Sequence, residues 1–294
     1  MTDSAKINNP LVAGIVILYN PDESVVTNIY SYHDQIKELV AFDNSDCPDD
    51  RIISVIKSLP NVHYYTENRN IGIGYALNYG AHWALRNGYD YLLTMDQDSF
   101  TSSDMINIML NSSESIDKKG IIVPFYENKF NTDKQKQNTV SEIPFARTSG
   151  NLLNLSVFEK AGKFKENYFI DYVDLEYCMR LRINGYKIIQ VQDAVLYHNE
   201  GDLEKKKFIF TDVYPWNYHP RRWFYKIRNL LYLEDEYKQH YPRFFRREKI
   251  KYLKQFVKIF FYEKNKLSKI TNAIKGYKAY KKNKMETDIE NNGQ

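Results

Sequence analysis

The chain has 294 residues, 43% hydrophobic and 27% charged, a balance that excludes a disordered or fibrous chain and allows one large domain, or one with an appendage. The longest strongly apolar run, Leu11–Tyr19, is about half the roughly 20 residues of a membrane-spanning helix. Met1–Pro10 is polar, without the apolar core of an export signal, and Cys47 and Cys178 are too few for a disulfide framework or a four-ligand zinc site, so a reducing cytoplasm is expected. Net charge is +4, yet Arg243–Lys284 holds 15 Lys/Arg against Glu248 and Glu263. An acidic body with a basic tail aimed at an anionic surface, lipid or nucleic acid, follows from that asymmetry.

In chain order, Leu11–Tyr19 has strand length, and Asn20-Pro21-Asp22 after it is a turn that can also cap a helix. Leu39–Asp43 and Val62–Thr66 read as the second and third strands, separated by a helix over Asp49–Leu59 with Ile52, Ile53 and Ile56 on one face. A helix over Gly74–Asn87 leads to a fourth strand, Tyr91–Met95, which runs directly into Asp96-Gln97-Asp98. Strands alternating with helices predict an α/β fold: a mostly parallel sheet flanked by helices, with ligands at the carboxyl ends of its strands. A helix near Asp104–Leu110, a strand at Gly120–Phe125, helices near Ser156–Ala161 and Val173–Asn184, and an extended run Tyr186–Tyr197 continue it. Glu127–Ser141 is polar and reads as a surface loop. Beyond Pro220 nearly everything is helical, so the chain divides into a catalytic domain over 1–217 and a helical, basic extension over 218–294.

The most informative cluster is Asp96-Gln97-Asp98. In an extended segment residues i and i+2 share a face, so both carboxylates can address one hard cation and its phosphates. A bare D-x-D is more often a solvated turn, but other polar strand ends share this rim: Tyr19-Asn20-Pro21, Asp43-Asn44-Ser45, and Asn68 to Gly74 with its Gly72-x-Gly74 pair. Together they suit the base, ribose and diphosphate of a nucleotide. The glycine pair lacks the third small residue of a dinucleotide fingerprint, which argues against a dehydrogenase. A second acidic group, Asp171, Asp174 and Glu176, sits at the start of a predicted helix, where acids cap the helix or take a proton from an attacking hydroxyl. His198 ends the extended run, a structural position or a ligand for an ion of the Mn2+ type.

With these residues assembled, the chain resembles the family 2 inverting glycosyltransferases of the GT-A fold, in particular their bacterial rhamnosyltransferase-like branch. The resemblance covers about residues 11 to 235 and is most specific at Leu93–Ser99 and Phe169–Cys178. The family's usual Glu-Asp-x-Asp is Val173-Asp174-Leu175-Glu176 here. Registering on Arg180-x-Arg182-x-x-Gly185 implies Asp174 as the base, with Asp171 in reserve. The resemblance further implies Asp98 as the principal carboxylate for Mg2+ or Mn2+, Asp96 on the ribose or the metal, and His198 as a further ligand. Asp43 would face the base, Tyr19 and Asn20 the nucleotide, and Asn70 with Gly72 the nucleotide-sugar pocket. Arg147–Asn151 would lie near donor sugar and acceptor, and His219–Asn229 is a basic aromatic element for diphosphate or a lipid-linked acceptor, or else a packed amphipathic helix.

The implied reaction moves a hexose, L-rhamnose from dTDP-rhamnose in the first instance, to a sugar hydroxyl of a cell-surface polysaccharide precursor. The loop at 127–141 is a candidate lid. Alternatives are another donor sugar (galactofuranose, galactose or glucose), a haloacid-dehalogenase-like phosphatase, or a non-catalytic membrane-binding module. The phosphatase family carries its D-x-D on the first strand, whereas three strands precede it here. Leu253, Phe256, Val257, Phe260 and Phe261 fall on one helical face among lysines, which suits an anionic bilayer surface or a dimer contact; nucleic-acid binding lacks a recognisable module. A protein peripheral to the inner face of the cell membrane is expected, its oligomeric state open.

Overall fold

The computed structural model describes residues 10–127, 139–198, 206–208, 211–213 and 217–292. Its first half alternates strand and helix: β1 (Val12–Leu18), α1 (Ser24–His33), β2 (Glu38–Asp43), α2 (Asp50–Ser58), β3 (Val62–Thr66), α3 (Ile73–Arg86) and β4 (Tyr91–Asp96). There follow β5 (Ser99–Thr101), α4 (Met105–Ser112), β6 (Lys119–Glu127), β7 (Val140–Glu142), β8 (Asn151–Asn154), α5 (Leu155–Ala161), α6 (Val173–Ile183) and β9 (Lys187–His198). A short pair, β10 (Lys206–Phe208) and β11 (Thr211–Val213), precedes three helices, α7 (Pro220–Tyr237), α8 (Pro242–Tyr262) and α9 (Lys266–Asn292).

Strands β1 to β9 form one sheet in the order β3-β2-β1-β4-β8-β6-β9-β5, with β7 also on β9. Six of the nine, β1, β2, β3, β4, β6 and β9, run one way; β5, β7 and β8 run the other. The mostly parallel α/β sheet expected from the sequence is therefore present. Ala13, Ile15, Val16 and Leu18 of β1 and Leu39 to Phe42 of β2 are all buried. Helices cover both faces of such strands, so they read as continuous apolar runs rather than alternations. The Asp49 side chain caps α2 by accepting from the Arg51 N–H, as its place before the Ile52–Ile53–Ile56 face predicts.

The register places the functional edge. Leu18 of β1 lies beside Asp43 of β2, Asp43 beside Thr66 of β3, and Ile17 of β1 beside Asp96 of β4. Four strands thus end together, and the order 3-2-1-4 reverses between β1 and β4. At such a switch point the loops diverge and leave a crevice.

The Asp96-Gln97-Asp98 segment differs from the extended geometry assumed for it. The chain leaves β4 at Asp96, turns through Gln97 and Asp98, and enters β5, where Ser99 pairs antiparallel with His198. The rule that i and i+2 share a face does not apply in a turn; Asp96 is partly buried and Asp98 exposed. The lid expected at 127–141 falls mostly outside the described residues.

By contacts the chain forms two compact units, Met1–Glu166 with Tyr177–Asn199, and Asn167–Glu176 with Glu200–Gln294. The sequence reading sets one boundary at 217/218; the contacts place the short segment Asn167–Glu176 with the C-terminal helices. Within the second unit α8 buries Phe245, Tyr252, Gln255 and Ile259. Phe256, expected on the outer apolar face, packs on Trp223 with ring centroids 5.4 Å apart. The outer stripe is instead Ile250, Leu253, Val257, Phe260 and Phe261, all exposed.

Candidate active site

At the ends of β1 and β4 the middle residue of the D-x-D supplies the joint. The Gln97 carboxamide accepts from the Tyr19 N–H (2.7 Å) and donates to the Tyr19 carbonyl (3.2 Å), while Asn28 Nδ2 donates to the Gln97 carbonyl (2.8 Å). Asp96 and Asp98 are carried on a turn that is stitched to the first loop on one side. On the other side, Ser149 Oγ accepts from the Asp96 N–H (3.0 Å) and donates to Ser99 Oγ (2.9 Å). The Gly150 N–H donates to the Thr94 carbonyl at 2.7 Å, so Arg147–Asn151 borders the end of β4. Tyr32, buried beneath, has its phenol held well above its usual range by burial and then by the charge of Asp96.

The other predicted loops converge on the same edge. Tyr19 is 48% exposed, and Asn20, in the left-handed region at φ 45°, donates its N–H to Ser45 Oγ at 2.7 Å. Asp43 has no exposed surface: one carboxylate oxygen accepts from the Ser45 N–H (2.8 Å) and the other from the Tyr64 hydroxyl (2.9 Å). The sequence reading set Asp43 against the base, whereas here its carboxylate is enclosed and fixes the Asn44–Ser45 loop. Asn70 accepts from the Gly72 N–H at 3.0 Å, and its own N–H donates to Asp46 at 3.1 Å. Gly72, at φ 90°, begins α3 in a conformation open to glycine. Gly74 is glycine for packing, since a Cβ there would stand 2.9 Å from the Lys165 carbonyl oxygen. Of the Gly-x-Gly pair only Gly72 belongs to the edge.

Two hard carboxylates with an imidazole suit Mg2+ or Mn2+. Asp96 and Asp98 fit as such donors, and His198 stands next to Asp98 by its backbone register with Ser99. Among the described residues no three His, Cys, Asp or Glu side chains form a metal-binding group. His198 enters by register alone.

The three acids of the second cluster lie together in the second unit and are sorted by their partners. Glu176 is fully buried and accepts from the Tyr237 hydroxyl at 2.6 Å; burial, then Glu176, raises the Tyr237 phenol far above its usual range. Asp171 takes a two-pronged bond from Arg222 (2.9 and 3.0 Å) and an ion pair from Lys226 (3.0 Å), with only 8% of its side chain exposed. Asp174, partly exposed in the first turn of α6, accepts from the Leu175 N–H at 2.8 Å. Asp171 and Glu176 are enclosed by bonds to α7, and Asp174 is partly exposed at the helix start. Arg180 of the family-like register donates to the carbonyls of Gly162 (3.0 Å) and Lys163 (2.9 Å), closing the end of α5.

A sheet of this order, with acids on the turn after β4 and loops gathered at a switch point, is a GT-A-like glycosyltransferase fold. Residues 15–175 match the family model described as glycosyl transferase family 2. The chain belongs to that family and is a glycosyltransferase. It is 27% identical over 245 residues, 76% of its length and 80% of the other's, to the dTDP-rhamnosyl transferase RfbF of Shigella flexneri. It is 26% identical over 206 residues, 63% and 66% of the two chains, to the low-salt glycan biosynthesis hexosyltransferase Agl10 of Haloferax volcanii. Among solved structures it resembles GalNAc-T7 with UDP, GalNAc and Mn2+ (TM-score 0.55, 14% identity, 65% of this chain, 44% of that one). It also resembles S. aureus TarS 1–349 in complex with UDP-GlcNAc (TM-score 0.52, 14% identity, 74% and 64%). The chain thus spans less than half of the GalNAc-T7 chain and just under two thirds of the TarS fragment.

Sequence reasoning overlooked Gln97, treated as a spacer between two acids, and Ser149, seen only as part of a segment. Neither has a local signal, because their partners are backbone groups or residues about 50 or more positions away.

Proposed function

We propose that this glycosyltransferase moves L-rhamnose from dTDP-rhamnose to a sugar hydroxyl of a cell-surface polysaccharide precursor, inverting the anomeric centre in one displacement. What carries the donor assignment is the likeness to a dTDP-rhamnosyl transferase across three quarters of the chain. The loops after β1, β2 and β3, with Tyr19, Asn20, Asn70 and Gly72, hold the nucleotide, and Asp43 keeps the second of them in shape. Asp96, Asp98 and His198 would hold a divalent cation, Mg2+ or Mn2+, a reading supported by the presence of Mn2+ in the structure of the fold neighbour GalNAc-T7. When bound, such an ion offsets the charge that develops on the departing nucleoside diphosphate. Asp174 takes the proton of the acceptor hydroxyl as the oxygen attacks the anomeric carbon. No nucleophilic side chain is needed for a single displacement.

The acceptor is a saccharide, in lipid-linked form at an anionic membrane surface. Among the described residues no helix is long and apolar enough to cross a membrane. The outer stripe of α8, at i, i+3, i+7, i+10 and i+11 from Ile250, stands among Lys251, Lys254 and Lys258, the pattern of a helix lying in the interface. That supports a cytoplasmic protein resting on the inner face of the membrane. Retention on anionic vesicles that survives Leu253→Glu together with Phe260→Glu would remove this part of the reading.

The central test is a panel of dTDP-, UDP- and GDP-sugars read by thermal shift with and without Mn2+ or Mg2+. Metal-dependent stabilisation by dTDP-rhamnose in the wild type, lost in Asp98→Asn, is expected. Stabilisation by a UDP- or GDP-sugar alone would replace the donor, and equal stabilisation of Asp98→Asn would remove the metal assignment.

A further inference from the structure

Phe169 (φ 64°), Asp171 (φ 62°) and Tyr172 (φ 69°) are non-glycine residues in the left-handed region, three within four positions. No other stretch among the described residues gathers them so densely. Bulky side chains are disfavoured there, and such conformations persist only where their surroundings over-determine them. This turn ends two residues before Asp174.

The surroundings are supplied by α7 and α8, in the same compact unit. Asn229, fully buried, donates its amide hydrogens to the carbonyls of Tyr168 (2.8 Å), Ile170 (2.8 Å) and Asp171 (3.0 Å). Its own oxygen accepts twice from Arg228 (3.0 and 2.9 Å), so the carboxamide is held in one orientation. One and two helical turns back, Lys226 and the Arg222 fork fix the Asp171 carboxylate. Tyr225 stacks on Phe169 with ring centroids 4.8 Å apart. From α8, Glu248 accepts the Tyr172 hydroxyl proton at 2.9 Å. Backbone carbonyls, a carboxylate, a ring and a phenol of one short turn are each held from helices 50 to 80 residues downstream. The element His219–Asn229 is thereby occupied: Arg222, Lys226, Arg228 and Asn229 face the turn.

We infer that α7 is a positioning clamp for the acceptor base: Asn229, oriented by Arg228 and assisted by the Arg222–Asp171 pair, holds the left-handed turn that aims Asp174. The inference rests on the assignment of Asp174 as base. It makes the C-terminal helices part of the catalytic apparatus as well as a surface for the membrane. The clamp acts on the rate of the chemical step and leaves nucleotide affinity alone, because the nucleotide loops belong to the other unit and share none of these bonds.

The test uses the full-length protein with Mn2+ and whichever member of the dTDP-, UDP- and GDP-sugar panel the wild type turns over, with release of the nucleoside diphosphate as readout. Asn229→Ala should lower kcat by about tenfold or more, the scale of a slightly misaimed catalytic group. The donor KM and the Kd for the free nucleoside diphosphate should stay within about twofold, and the acid limb of the pH–rate profile should shift as the Asp174 carboxylate moves. Arg222→Lys, which keeps the charge and loses the fork, and Tyr225→Leu, which leaves no buried polar group behind, should show the same split more weakly and cover the case in which Asn229→Ala does not fold. If kcat stays within twofold in these folded variants, or kcat and nucleotide-binding capacity fall together with the folded fraction, the clamp is only structural and the inference fails. If Asp174→Asn keeps full turnover while Asn229→Ala loses it, the base assignment is what fails.

Discussion

The sheet edge that gathers the nucleotide loops and the segment Asn167–Glu176 are both short irregular stretches carrying acids, but they are fixed in different ways. The edge is held partly by bonds between near neighbours, such as Asn70 to Gly72 and Asp43 to Ser45, and partly by bonds that its own loops make to one another, such as Tyr19 to Gln97 and Asn20 to Ser45. The Asn167–Glu176 segment is held almost wholly from afar, by Arg222, Asn229, Tyr237 and Glu248. A locally fixed loop can change one member at modest cost. A strained turn held by a buried ion pair and a buried amide loses its shape when one holder goes.

The largest effect expected from this contrast separates two acids three positions apart. Asp174→Asn should reduce transfer by about 10²–10⁴-fold with the melting temperature nearly unchanged, since its carboxylate is partly exposed. Asp171→Asn should act first on stability and, by loosening the turn that aims Asp174, more weakly on turnover. It leaves Arg222 and Lys226 facing a neutral amide, and removal of one partner from a buried pair costs on the order of 3 kcal/mol, seen as a lower denaturant midpoint. A stable Asp171→Asn with wild-type turnover would break the comparison.

At the sheet edge, Gln97→Ala removes both bonds to the Tyr19 backbone, 78 positions away. Stability should fall by about 1 kcal/mol and nucleotide affinity by about fivefold, measurable by calorimetry; an unchanged affinity would show that the turn after β4 keeps its place without this joint. The smallest effect concerns pH. Glu38 is held below its ordinary range by the Tyr89 hydroxyl bond (2.6 Å) and, after burial opposes it, by His63, while burial and Glu38 push the Tyr89 phenol up to about 12. A lowered carboxyl value stabilises the fold above the unfolded value of roughly 4.3, and that contribution is lost as pH falls through the folded value. Glu38→Gln should therefore flatten the acid side of the stability profile and leave neutral pH almost unaffected. A steeper acid side would contradict the assignment.

Much of the edge is legible because its signals are local. Apolar runs of strand length ending in Asn20, Asp43 or Asp96 place polar residues at strand ends, and alternation with helices brings those ends to one side. The resemblance around Leu93–Ser99 and Phe169–Cys178 adds the family, which the match over residues 15–175 bears out. The Asp96–Asp98 geometry was legible only in part, because Ser99–Thr101 is too short to announce a strand and pairs with β9 almost a hundred residues on. For Asp171, Asp174 and Glu176 the sequence offers only the family-like register on Arg180, Arg182 and Gly185; the partners that enclose Asp171 and Glu176 are Arg222, Lys226 and Tyr237, about 50 to 60 residues on. Phe256 illustrates the same limit on α8, where helical periodicity defines an apolar face but not which part of it meets Trp223.

The sequence by itself determined the alternation of elements, the apolar strands, the positions of the acids and the family, since each follows from periodicity or from a motif within a few residues. The tertiary structure decided that Gln97 is a joint, that Asp43 is enclosed, that Phe169–Tyr172 turns left-handed, and that Asp171 is ion-paired and Glu176 buried. Those outcomes depend on hydrogen bonds and ion pairs between residues 20 to 80 positions apart, whose geometry comes into being only when the sheet order and the C-terminal helices are in place.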